Sequence, residues 1–236
     1  MVGRGEVLER MTTVVGAAGD LEALWQAGGV GVEHRLPVLL CPPHPRLGGS
    51  MDSAILAEIV WHLGRHRHPT LRFNWRGVSA SAGEIAVPWL PAAEPVDFAP
   101  LLADAEAALT QLLSSTGARE VAVVGVSVGA FVAARLLATH PQVARGALVS
   151  PPIQAVPDGL DVDVVAGLAG SGCAVVVVVG DDDRYAPVDA LDARCRPFAR
   201  VQVVRGADHG FVRGLTACAA LVADACDDGR GDDDDD

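Results

Sequence analysis

No lysine occurs among the 236 residues; all 18 basic residues are arginine. That excludes a catalytic lysine and the lysine of a phosphate-binding P-loop. Aromatic residues are scarce at 4 %. The core must therefore be built from Val, Ala and Leu, which suits a parallel sheet covered by helices. Cysteine is limited to Cys41, Cys173, Cys195, Cys218 and Cys226, with no C-x-x-C pair. Such spacing excludes the usual redox and zinc patterns and fits reduced, mostly buried thiols in a cytoplasmic protein. Long apolar runs are missing too. The valine stretch at 175–179 is far too short to span a bilayer, and MVGRGEVLERM holds no apolar signal core. Positive charge is in deficit, with a net charge of −12. This argues against nucleic acid and against anionic membrane surfaces as partners.

Hydrophobic residues make up 50 % of the chain. That is enough for one α/β domain, placed at residues 1–226. Residues 227–236, DDGRGDDDDD, hold seven Asp and one Arg. Like charges repel there and nothing apolar offsets the cost of ordering, so a disordered acidic tail is expected.

Along the body, apolar strand-like runs alternate with helical patterns. Residues 7–27 read as two strands around the turn GAAGD. LPVLL (36–40), TLRFNW (70–75), EVAVVG (120–125), GALVS (146–150), AVVVVVG (174–180) and RVQVV (200–204) read as further strands. Helices are expected at 53–64, 98–116, 129–140, 187–195 and 214–226, and an irregular stretch at 78–97. The alternation predicts right-handed βαβ units and a mostly parallel sheet with helices on both faces.

In such sheets, ligand sites form at the carboxyl ends of the strands. Three strand ends here carry reactive residues: Ser127, the aspartates Asp181, Asp182 and Asp183, and Asp208 with His209. Ser127 stands in Gly125-Val126-Ser127-Val128-Gly129, a G-x-S-x-G between strand and helix. There glycines relieve crowding and a helix N-terminus offers amides to an anion. A bare phosphate-binding turn would use the same glycines. The chain order Ser, Asp, His matches a hydrolase triad.

The ordered segments CPPHPRLGGSMD (41–52), RFNWRG (72–77), GVSVG (125–129), GDDD (180–183) and GADHGF (206–211) resemble those of the α/β-hydrolase superfamily. They are closest to small lidless bacterial serine hydrolases of the dienelactone-hydrolase type. The resemblance runs from about residue 36 to 213. Pro42 stands where the group usually has His, and Ser79 where it usually has Gly.

The resemblance implies an α/β-hydrolase fold with a minimal cap or none. Its triad would be Ser127 as nucleophile, His209 as general base and Asp183 as orienting carboxylate, with Asp181 the alternative. One oxyanion-hole donor is the Val128 amide. The other comes from the loop after LPVLL, where Pro42, Pro43 and Pro45 have no N–H to give. That leaves His44, Arg46 or Leu47, and the family alignment assigns the donor to the His44 backbone. His34, His62, His66, His68 and His140 read as structural. Arg76 reads as the partner of a carboxylate. Residues 84–100 are placed to form a flap, with Trp89 and Leu90 as substrate-binding walls. Three aspartates in a row could suggest a metal, but no His or Glu ligand pattern accompanies them, and no cofactor is expected. The activity expected is cleavage of a small-molecule carboxylic ester or thioester. An inactive binding scaffold and an amidase or peptidase are the alternatives. The sequence is silent on oligomeric state.

Overall fold

The computed structural model describes residues 9–28, 35–92 and 94–227. The expected acidic tail, apart from Asp227, lies outside the described residues, as does His34. Asp227 itself joins the body: Arg35 and His66 bind its carboxylate, and Arg145 donates to its carbonyl.

In chain order the elements are β1 (Glu9–Gly16), β2 (Gly19–Gln26), β3 (Val38–Cys41), a 3₁₀ turn (Pro45–Leu47), α1 (Ala54–Arg65), β4 (Thr70–Phe73), α2 (Ala99–Thr116), β5 (Val121–Val126), α3 (Val128–Thr139), β6 (Val143–Val149), α4 (Val162–Ser171), β7 (Ala174–Gly180), α5 (Val188–Cys195), β8 (Ala199–Val204) and α6 (Leu215–Cys226). One sheet has the order β1-β2-β4-β3-β5-β6-β7-β8. β1, β2 and β4 pair antiparallel in succession; every other pairing is parallel.

Alternation along each strand sends side chains to opposite faces. Leu39, Cys41, Val123 and Val177 enter one core with α2, α3, α4 and α5. Val38, Leu40, Val124 and Val178 enter a second core with α1 and α6. The apolar Val-rich strands are thus covered on both sides, as a parallel sheet requires.

Helix α4 departs from the sequence expectation, which left 151–173 without a helix. Its valines and glycines have low helix propensity. Capping compensates: Asp161 Oδ1 accepts from Asp163 N at 3.0 Å and Val164 N at 2.9 Å, and Gly172 ends the helix at φ 75°. Val164 and Leu168 then bury against the core.

Two further features follow β4. Arg76 pairs with Asp104 of α2, whose side chain is fully buried, through Nη2 at 2.7 Å and the Arg76 backbone N at 3.1 Å. Ser79 sits at φ 50°, a backbone state that favours the glycine usual in the resembling group.

Candidate active site

Moving from β3 to its neighbours, the chain goes first to β4 on one side and then to β5 on the other. That reversal is the topological switch point, where a crevice opens at the strand ends. Ser127 stands there, between the end of β5 and the start of α3. It has φ 55° and ψ −120°, a strained state for a residue with a Cβ. Such strain costs of order 1–3 kcal/mol and persists only where the surroundings enforce it.

The enforcement is visible in the two flanking glycines. A Cβ on Gly125 would stand 2.2 Å from Gly129 O, and one on Gly129 would stand 2.4 Å from both Cys41 O and Pro42 O. The bare backbones therefore let strand, turn and helix α3 close on one another and on the loop after β3. Ser127 N still donates to Val149 O of β6 at 2.8 Å, which hooks the turn to the sheet.

Ser127 Oγ lies 3.0 Å from His209 Nε2. His209 Nδ1 lies 2.8 Å from Asp183 Oδ2. With Nδ1–H donating to the carboxylate, the Nε2 lone pair faces the serine hydroxyl. The other Asp183 oxygen accepts from Tyr185 N at 2.9 Å and Ala186 N at 3.1 Å. Burial by itself would push the Asp183 carboxyl up. The hydrogen bond and charge of His209, the Ser150 hydroxyl and the Tyr185 amide outweigh it, so the carboxyl is held below its ordinary value.

The close approach of the β7 and β8 ends decides which aspartate faces His209. A Cβ on Gly180 would lie 2.1 Å from Ala207 O, and Asp182 N donates to that same carbonyl. The Asp181 carboxylate accepts from Gly206 N and so caps the β8 turn. Asp182 is exposed. Among the described residues no three His, Cys, Asp or Glu side chains gather as a metal site.

Among the described residues, the amides of Val128 and His44 donate no hydrogen bond. The His44 side chain bonds within its own turn and to Pro88. Its Nδ1 accepts from Arg46 N at 3.1 Å and its Nε2 faces Pro88 O at 2.9 Å. Of the two flap residues, Leu90 packs against the main core, whereas Trp89 is 62 % exposed.

Three residues were missed at the sequence level. Tyr185, the sole tyrosine of the chain, stacks edge-on to His209 with ring centres 5.1 Å apart. With His209, Asp182, Arg184, Asp208 and Gly210 it lines a cleft of ≈ 520 Å³. Its rarity, two positions after Asp183, was the available signal. Ser150 follows the end of β6 at φ 45°, fully buried beside Asp183, its Oγ closing no hydrogen bond of full geometry. The third was missed only in its side chain: the Arg46 amide was a candidate oxyanion donor, but its guanidinium has no local sequence signal, because its partners lie about forty residues away.

An uncharacterized protein of Rickettsia prowazekii is 25 % identical over 182 residues, 73 % of this chain and 71 % of that protein. A protein of unknown function from Agrobacterium tumefaciens, described as an α/β hydrolase, superposes with a TM-score of 0.75 at 24 % identity. It covers 91 % of this chain and 94 % of its own. An α/β serine hydrolase homologue from Coxiella burnetii gives a TM-score of 0.75 at 23 % identity, over 91 % of this chain and 96 % of that one. These likenesses share the fold. Residues 37–172 match the family described as "alpha/beta hydrolase fold", and with more than half its length so matched, this chain belongs to that family.

Proposed function

We propose that this protein is a serine hydrolase that cleaves a small-molecule carboxylic ester or thioester through an acyl-enzyme. The observation that carries this reading is the unbroken relay from Ser127 Oγ to His209 at 3.0 Å and from His209 to Asp183 at 2.8 Å. A serine hydroxyl is a weak nucleophile at neutral pH, and an adjacent oriented base is what activates it.

In this reading Ser127 Oγ forms a bond to the substrate carbonyl carbon while His209 Nε2 takes the hydroxyl proton. The carbonyl oxygen becomes an oxyanion, bound by the Val128 and His44 amides. Collapse breaks the bond to the leaving alcohol or thiol, which receives the proton from Nε2. Water then attacks the acyl-enzyme with His209 again as base, and Ser127 leaves with the returned proton. Asp183 keeps the imidazole in the required tautomer and offsets its positive charge. The ≈ 520 Å³ cleft is lined in part by His209, the residue that protonates the leaving group in this reading. All five cysteines are free, in keeping with a reducing, cytoplasmic setting.

The test is labelling with a fluorophosphonate probe, followed by turnover of an ester and thioester panel. Wild type is expected to label, with Ser127→Ala and His209→Ala silent. A folded wild type that does not label would sink the reading and favour a binding scaffold.

A further inference from the structure

Residues 85–89 form neither strand nor helix, so their carbonyls need other donors. Three of these carbonyls find them on one short segment. Arg46 Nε donates to Val87 O at 2.6 Å, and Arg46 Nη2 donates to Ile85 O at 3.2 Å. His44 Nδ1 accepts from Arg46 N, so its proton sits on Nε2, which donates to Pro88 O at 2.9 Å. The guanidinium carbon also lies 5.9 Å from the centre of the Trp89 ring.

The segment that supplies these donors is the 3₁₀ turn together with its N-cap, His44, which carries the second oxyanion amide in the reading above. The residues just before it are pinned elsewhere. Trp75 Nε1 donates to Pro42 O at 3.1 Å and Pro43 O at 3.2 Å, while Gly129 of α3 abuts Cys41 O and Pro42 O. The flap is tied to the same turn through Arg46, its charged two-pronged donor, which holds more firmly than a neutral one.

We propose that Arg46 is a positioning residue that joins the flap to the oxyanion turn and thereby sets which acyl groups the site turns over. This rests on the reading of Ser127 as nucleophile and of residues 84–100 as the acyl wall. An acyl group that displaces the flap pulls on Arg46, and Arg46 is part of the turn that places the His44 amide. Poorly fitting acyl groups are then penalised in kcat as well as in KM, because the oxyanion donor moves with the flap.

The experiment compares wild type, Arg46→Ala and Arg46→Lys on p-nitrophenyl esters from acetyl to dodecanoyl. Fluorophosphonate labelling and chymotrypsin cleavage after Trp89 are followed in parallel. Arg46→Ala is expected to label, to lose about tenfold of its acyl-length discrimination in kcat, and to be cleaved about tenfold faster. Arg46→Lys should recover part of both, since an ammonium can reach one carbonyl but lacks the planar fork for two. Should the alanine variant unfold, Arg46→Met, which keeps the apolar stem, replaces it. Unchanged acyl profile and cleavage rate in the labelled variant overturn the proposal. A wild type that fails to label overturns the nucleophile reading instead, and the specificity role falls with it.

Discussion

The Asp183 carboxylate meets His209 Nδ1 at 2.8 Å with none of its side chain exposed, whereas Asp181, two residues earlier, faces the Gly206 amide. Asp183→Asn puts an amide where an acceptor is needed and favours the wrong imidazole tautomer. A fall of about 10⁴ in kcat is expected, the size seen for the same change in the serine-protease triad. Asp181→Asn should stay within about threefold of wild type, because it loosens only a turn. Steady-state kinetics of both variants on one ester decides it. The reverse ranking would make Asp181 the orienting carboxylate.

Arg76 neutralises a carboxylate that has no access to water. Arg76→Ala leaves Asp104 as an uncompensated buried charge and should lower stability by about 3–5 kcal/mol. The double variant Arg76→Met with Asp104→Leu should recover most of that loss, since an apolar pair needs no desolvation. Urea unfolding at neutral pH measures both. A single variant within about 1 kcal/mol of wild type would show that the pair is dispensable.

Three histidines resist protonation in the folded chain. Burial lowers His44, His62 and His68 below their ordinary value of 6.5, only partly offset by backbone acceptors and nearby carboxylates. The unfolded chain therefore binds more protons than the native one as pH drops below 6.5. The stability these neutral rings contribute is fully present above that value and is lost as pH falls toward their folded values. The slope is at most about 1.4 kcal/mol per pH unit for each proton. His68 is fully buried, with Nδ1 on Leu36 O at 2.8 Å and Nε2 without a partner. His68→Asn keeps a donor for Leu36 O and cannot titrate. Urea midpoints from pH 7.5 to 5.5 should fall less steeply in this variant than in wild type; equal slopes would refute the assignment.

Much of this arrangement was legible in the chain itself, and the misses have physical causes. The strands were readable because the period of the apolar runs is a local property of the backbone. Helix α4 was not, because its valines and glycines favour no helix until Val164 and Leu168 find a core to bury in. β6 begins at Val143, earlier than the GALVS run suggests, since Val143 meets Val121 of β5. Ser150 read as an ordinary strand end; only the neighbouring β7 end places it beside Asp183.

By itself, the sequence determined the strand ends, the glycines of the elbow and the chain order of Ser127, Asp183 and His209. Each of these depends on spacing along a few residues. Only the tertiary structure decided among Asp181, Asp182 and Asp183. Consecutive side chains point in different directions, and the contact of Gly180 with Ala207 aims one of them at His209. It also decided that the His44 ring and Arg46 bond to the 85–88 stretch, because their acceptors, Ile85, Val87 and Pro88, lie about forty residues further along the chain. Local spacing carries backbone periodicity; the choice of a distant hydrogen-bond partner is made only when packed elements bring donor and acceptor within 3 Å or so of each other.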